Sequence, residues 1–232
     1  MTNAGAPTVE PWQAAKHSSE SAEHYSPPEI VDRARRVMGG IDLDPASCAK
    51  ANELVKAERI FTREDDGLAQ PWTGRVWLNP PGGVTDKLGQ VVKPNCKSTG
   101  SCGLPPGHTH HGAESSTKKW WRKLIEEWCA GRVSQAFFFG FKIEFLQTSQ
   151  VKCPRRAASF PFCIPSTRVN FLHVSDAGEL VVGTQPTHAS VIVYLPQTST
   201  SEWTDQAARD RLGSFEFQFG SLGSVVRTVV SR

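Results

Sequence analysis

A chain of 232 residues is long enough for one well-packed domain and too short for two full ones. Its 38% hydrophobic and 21% charged residues exclude a disordered or fibrous class, and no apolar run approaches the length that spans a bilayer. The 26 basic against 23 acidic residues give a formal charge of +3, which permits nucleic acid as a partner without arguing for it.

In chain order, residues 1–20 are rich in Ala, Ser, Thr and Pro without periodicity and are expected to form a flexible tail. This start lacks the apolar core of a secretion signal, so a cytoplasmic home is the default expectation. Next, SPPEIVDRARRVMGG predicts a helix. Ser26 is placed to cap it, Pro27 and Pro28 suit the first turn, and Gly39–Gly40 stop it. Ile30, Val31, Ala34 and Val37 fall on one face. IDLDPAS predicts a short strand with acidic residues at its tip, SCAKANELVKA a helix and RIFT a second strand. RVWLNPPGG is a strand that runs into a Pro-Gly stop.

From residue 84 to about 117 the texture changes to Gly, Pro, Ser and Thr with little apolar periodicity, which marks an insertion. STKKWWRKLIEEWCAGR then predicts an amphipathic helix between Ser116 and Gly131. VSQAFFFGF is a buried strand, IEFLQTSQ a short helix, and SFPFCIP, TRVNFLHV and HASVIVYLP are further strands. The tail FEFQFGSLGSVVRTVV is expected to add a last strand. This alternation predicts an α/β layer architecture with a largely parallel sheet.

Four motifs carry candidate chemistry. Asn79-Pro80-Pro81 follows the strand RVWL, and ligands of open α/β sheets collect at the carboxyl ends of strands. An exocyclic adenine amine is a poor nucleophile because its lone pair is delocalised into the ring. An Asn oxygen and a neighbouring main-chain carbonyl can accept its two hydrogens and draw the nitrogen toward a tetrahedral state. Read alone, the same residues are a proline-rich turn. Asp42 and Asp44 at the tip of the first strand suit an ammonium or ribose hydroxyls, with Asp44 alternatively capping the helix that follows. Tyr25-Ser26-Pro27 precedes a helix N-terminus, whose free N–H groups favour a carboxylate. Asp65 and Asp66 form an acidic turn that suits an adenosine amine, or is simply solvated. No Gly-x-Gly-x-x-Gly loop is present, which disfavours a nicotinamide dinucleotide.

Taken in order, Y-S-P-P-E-I-V, G-G-I-D-L-D-P-A-S, R-E-D-D-G-L-A-Q-P-W and R-V-W-L-N-P-P resemble the phage-type DNA N-6-adenine methyltransferase family. The likeness is dense from Glu23 to Pro81 and looser to about Leu195. It implies a Rossmann-like S-adenosylmethionine-dependent methyltransferase domain over residues 21–232, with the insertion at about 84–117. The implied reaction is transfer of a methyl group to adenine in DNA, with the target base flipped out of the stack. Asn79, Pro80 and Pro81 would be catalytic. Tyr25, Ser26, Pro27, Asp42 and Asp44 would serve the cofactor, the first three near its methionine end, with Asp65 or Asp66 near its adenosine. The resemblance further implies a phage or prophage protein acting in the bacterial cytoplasm on DNA, with no membrane and no obligate protein partner.

The signature usually continues with an aromatic residue that stacks on the flipped base, but Gly82 and Gly83 stand here. Trp120, Trp121 and Phe141 are the candidate replacements. Six cysteines are scattered without a disulfide framework and are expected to be mostly reduced thiols. Within the insertion, Cys96, Cys102, His108 and His110 form the candidate ligand set for a structural zinc, or else line a mobile loop facing the substrate. Lys97, Lys118 and Lys119 belong to a basic stretch that suits phosphates, or a solvated face. Two other functions stay open. One is a related amino-methyltransferase on cytosine, RNA or a glutamine amide. The other is a non-catalytic nucleic-acid-binding module with a degenerate methyltransferase fold.

Overall fold

Ile30, Val31, Ala34 and Val37 recur at helical spacing and all are buried, so the chain coils over Pro28–Met38 (α1) with this stripe inward. Gly39 ends the helix in the left-handed conformation at φ 78°, returning its N–H to the Arg35 carbonyl. At the other end the cap position falls on Pro27, with no side-chain cap hydrogen bond, so Ser26 does not take the capping role expected of it. The structure, a computed structural model, describes residues 24–85, 91–92, 114–148, 155–183, 188–197 and 206–228. The expected tail over residues 1–20 lies outside them.

The strands are β1 (Leu43–Asp44), β2 (Arg59–Ile60), β3 (Gly74–Leu78), β4 (Val84–Thr85), β5 (Val91–Val92), β6 (Glu114–Ser115), β7 (Val133–Gly140), β8 (Phe162–Pro165), β9 (Leu172–Val174), β10 (Leu180–Val182), β11 (Val191–Leu195) and β12 (Gly223–Val226). The helices after α1 are α2 (Ala49–Val55), α3 (Ser116–Cys129), α4 (Phe145–Thr148) and α5 (Gln206–Gly220). Seven strands form the central sheet in the order β2-β1-β3-β7-β11-β8-β12. β2, β1, β3 and β7 pair in parallel, while β11 opposes both β7 and β8, and β12 opposes β8. Five of the seven strands therefore run one way, a mixed and mostly parallel α/β sheet of the kind the alternation predicted.

Central strands buried on both faces read as continuous apolar runs. In β7 and β11 nearly every side chain is buried, and alternate residues serve opposite cores. Ala136 and Phe138 face a core closed by Trp120, Trp121, Leu124, Ile125 and Trp128 of α3. Phe137 and Phe139 face a second core closed by α1 and by Phe215 and Phe219 of α5. Each such ring taken from water contributes about 1.5–3 kcal/mol, so the aromatic strand fixes the layer order.

Three expectations are corrected. The tail FEFQFG is helical, ending α5, and only Gly223–Val226 adds the last strand. TRVNFLHV contributes only β9, which pairs antiparallel with β10 in a separate two-stranded sheet, and an isolated Tyr25–Leu172 bridge ties it to the segment before α1. The insertion is not wholly irregular. Its ends pair as Val84 with Ser115 and Thr85 with Glu114, and β5 adds to the same small sheet. Among the described residues no helix is long and apolar enough to cross a membrane.

Candidate functional site

From β1 the chain moves to β2 on one side and later to β3 on the other, so the strand order reverses at β1. In an open α/β sheet the loops leaving two such strands diverge, and the crevice between them is where ligands bind. Leu43 lies opposite Val76, so β1 and β3 both end within two residues of that pair. The reversal thus sets Asp44-Pro45 beside Leu78-Asn79-Pro80.

Asn79 is oriented by the segment before α1. Its Nδ2 donates to the His24 carbonyl at 2.9 Å. Its Oδ1 keeps no partner among the described residues, and the buried Pro80 carbonyl accepts no main-chain hydrogen bond there. Two acceptors therefore leave β3 together, and neither proline has an N–H to satisfy them. The His24 segment is itself fixed, because Tyr25 exchanges main-chain hydrogen bonds with Leu172 at 2.8 and 2.9 Å. Tyr25, Ser26 and Pro27 are all buried beside the uncapped start of α1.

Asp44 is 3% exposed at the tip of β1. Burial in a poorly solvated site pushes its carboxyl up to about 7, against hydrogen bonds from the Ala46 amide and Ser47 that favour the charged form. The Ala46 contact is 3.2 Å. Asp44 is not the cap of α2, since Cys48 holds that position and its sulfur accepts from the Ala51 amide. A buried carboxylate that is not the cap, at a switch point, marks a functional candidate.

The acidic turn after β2 packs against the same exit. A Cβ on Gly67 would lie 2.0 Å from the Pro45 carbonyl, so only glycine allows this approach. The Trp72 indole donates to the Gly67 carbonyl at 2.7 Å and stacks on Trp120, which clamps the turn. Asp65 closes the turn, accepting from the Thr62 amide at 2.8 Å and its hydroxyl at 2.9 Å, and these bonds hold its carboxyl below the usual range. Asp66 is exposed at φ 50°.

Asp42 stands apart from this group. It pairs with Arg75 at the start of β3, accepting from the Arg75 amide at 2.6 Å and from its guanidinium. The guanidinium bonds hold the Asp42 carboxyl below its ordinary value. Two acids two residues apart in the sequence thus have opposite environments. Lys118 and Lys119 lie in the first turn of α3, half-buried. Lys97, Cys96, Cys102, His108 and His110 lie outside the described residues, and among the described residues no cluster of three His, Cys, Asp or Glu could hold a metal. The described thiols Cys48, Cys129 and Cys163 form no disulfide.

At this edge Phe141, one of the candidate rings, gathers His24, Phe171, His188 and Ser190, for none of which the sequence suggested this placement. The His24 ring lies parallel to Phe141 with centroids 5.7 Å apart, and Phe171 and His188 complete the group. Partial burial, then His173, hold the His24 imidazole below its usual range. Ser190 is 2% exposed, and its hydroxyl has no partner among the described residues. The registers of β7 and β11 and the Tyr25–Leu172 bridge bring these residues together. Comparison of the chain with protein-family models, with curated proteins and with solved structures finds no match.

Proposed function

We propose that the chain is an S-adenosylmethionine-dependent methyltransferase acting on the exocyclic amine of adenine in DNA. The observation that carries this reading is Asn79, held by the His24 carbonyl at a topological switch point with its oxygen and the Pro80 carbonyl unclaimed by the described residues. Two adjacent acceptors suit a planar –NH2 group, which presents two hydrogens and needs no general base before attack. They draw its lone pair out of conjugation and fix its direction, so the residues contribute mainly orientation and a preorganised polar environment. The proton leaves the nitrogen after transfer and passes to solvent. The ordered motifs that resemble the phage-type adenine methyltransferases support the same assignment.

The residues fit the cofactor's polar groups. Asp44 is a buried carboxylate suited to its ammonium or ribose hydroxyls, and the uncapped start of α1 beside Ser26 and Pro27 suits its carboxylate. When bound, the cofactor supplies a methyl group on a sulfonium centre.

The test is transfer of labelled methyl to unmethylated DNA, with wild type beside Asn79→Ala. The expected product is N-6-methyladenine from wild type, with kcat falling roughly 100-fold or more in the variant, the scale seen when a preorganised contact to developing charge is lost. Cofactor binding without transfer to DNA would redirect the substrate to another amine. Absence of both transfer and cofactor binding would leave the nucleic-acid-binding module.

A further inference from the structure

The loop after Asn79-Pro80-Pro81 has no ring to offer. Gly82 and Gly83 are both exposed, and a Cβ on Gly82 would meet no atom within 4 Å. Two of the three candidate rings are committed elsewhere. Trp121 is 1% exposed, stands edge-on to Phe138, Phe145 and Phe160, and donates its indole N–H to the Arg155 carbonyl. Trp120 is 7% exposed and stacked on Trp72.

Phe141 also stacks on a neighbour, His24, but is less buried than either. It is half-buried and sits just beyond β7, the parallel neighbour of β3. Leu78 lies opposite Phe138 and Val191 opposite Gly140, so Phe141 emerges beside the Asn79-Pro80-Pro81 turn and beside Ser190. On the far side β11 brings the buried Ser190 hydroxyl, which lacks a partner among the described residues. Above it His24 lies parallel to the ring, 18° from coplanar, while its carbonyl holds Asn79. Phe171 backs the pair at 5.6 Å and His188 stands edge-on at 5.2 Å.

We propose that Phe141, with His24 and Phe171 around it, is the ring surface on which the target base stacks, taking the place of an aromatic residue after Pro81. This rests on the reading of the site as an adenine amino-methyltransferase. Ring surface, a buried hydroxyl and the Asn79 amide occupy neighbouring strand ends, which together match the face and polar edge of a nucleobase. A flat aromatic face recognises any base by stacking, while polar groups at its rim set orientation.

Two readouts test it. The first is methyl transfer to unmethylated plasmid DNA by wild type, Phe141→Leu and Phe141→Tyr. The second is the affinity, without cofactor, for a labelled single-stranded oligodeoxyadenylate and for an abasic strand of equal length. Phe141→Leu is expected to lower kcat/KM by roughly 10- to 100-fold and to weaken the oligodeoxyadenylate by a similar factor, the range that stacking supplies per base. Phe141→Tyr should restore both, the abasic strand should bind all three proteins equally, and cofactor affinity should not change. Wild-type transfer that Phe141→Leu leaves intact overturns the ring assignment while the function stands. Equal loss on the abasic strand overturns it as well, because the defect is then structural. Cofactor binding with no transfer to DNA by wild type overturns the function, and the platform with it.

Discussion

Asp42 and Asp44 occupy one short motif, yet pH should separate them by sign. The Asp42 carboxyl is held below its ordinary value by Arg75, so its stabilisation is present above the unfolded pKa and is lost as pH falls through the lower folded value. Asp44 is raised from 3.8 to about 7, so the folded state keeps a proton the unfolded state has released. Its favourable contribution is complete below 3.8, declines as pH rises and is gone above about 7. Asp44→Asn should therefore stabilise the ligand-free protein at pH 8 by about 2–4 kcal/mol, with the gain shrinking toward pH 5. Urea denaturation across that range measures it, and a gain independent of pH would refute the assignment. If Asp44 also meets the cofactor, wild-type affinity should tighten from pH 6 to pH 8 and Asp44→Asn should lose that dependence. The sequence marks both acids as a strand tip and cannot sort them, because Arg75 comes 33 residues after Asp42. Asn79 was legible because proline and a strand end are local signals. Its partner His24 was not, since the bond closes a separation of 55 residues.

Elements were legible where periodicity was unambiguous, as in α1 and in the buried run of β7. The segment FEFQF was not. Alternating Phe215, Phe217 and Phe219 read as period two, but residues four apart also share a helix face. Phe215 and Phe219 fill the core beside Phe137, while Phe217 is 82% exposed. A strand would have placed all three on one side, so substitution distinguishes the alternatives energetically. Phe215→Ala should cost about 3–5 kcal/mol, as for a buried aromatic. Phe217→Ala should fall within about 0.5 kcal/mol of wild type. Guanidinium unfolding of the two variants checks this, and comparable losses at both positions would contradict the helix. Strand registers set the aromatic group around Phe141 in the same non-local way. β7 must meet β3 on one side and β11 on the other before Phe141, Asn79 and Ser190 become neighbours.

At the scale of the molecule, the central sheet and the small sheet at the ends of the insertion share no strand. The insertion leaves three residues after Pro80 and returns at Ser116, whose amide donates to the Gly83 carbonyl at 3.0 Å. Its two ends are already paired, with Thr85 opposite Glu114, and no strand of the central sheet lies between them. Replacing residues 86–113 by Asn-Gly would join the paired strands through the two-residue turn that antiparallel neighbours accept. The substituted protein should unfold within a few degrees of wild type and bind the cofactor equally well, because β1, β3 and α1 are untouched. On the proposed function, DNA affinity should fall, since Lys87, Lys93 and Lys97 leave with the segment. Each lost phosphate contact lowers the slope of log K against log salt by about 0.9, so a titration between 50 and 200 mM salt counts the lysines that touched DNA. An unchanged slope would place the DNA contacts on the rest of the protein, with Lys118 and Lys119 the next to substitute. A collapse of thermal stability would instead show that the insertion is part of the fold rather than an addition to its binding edge.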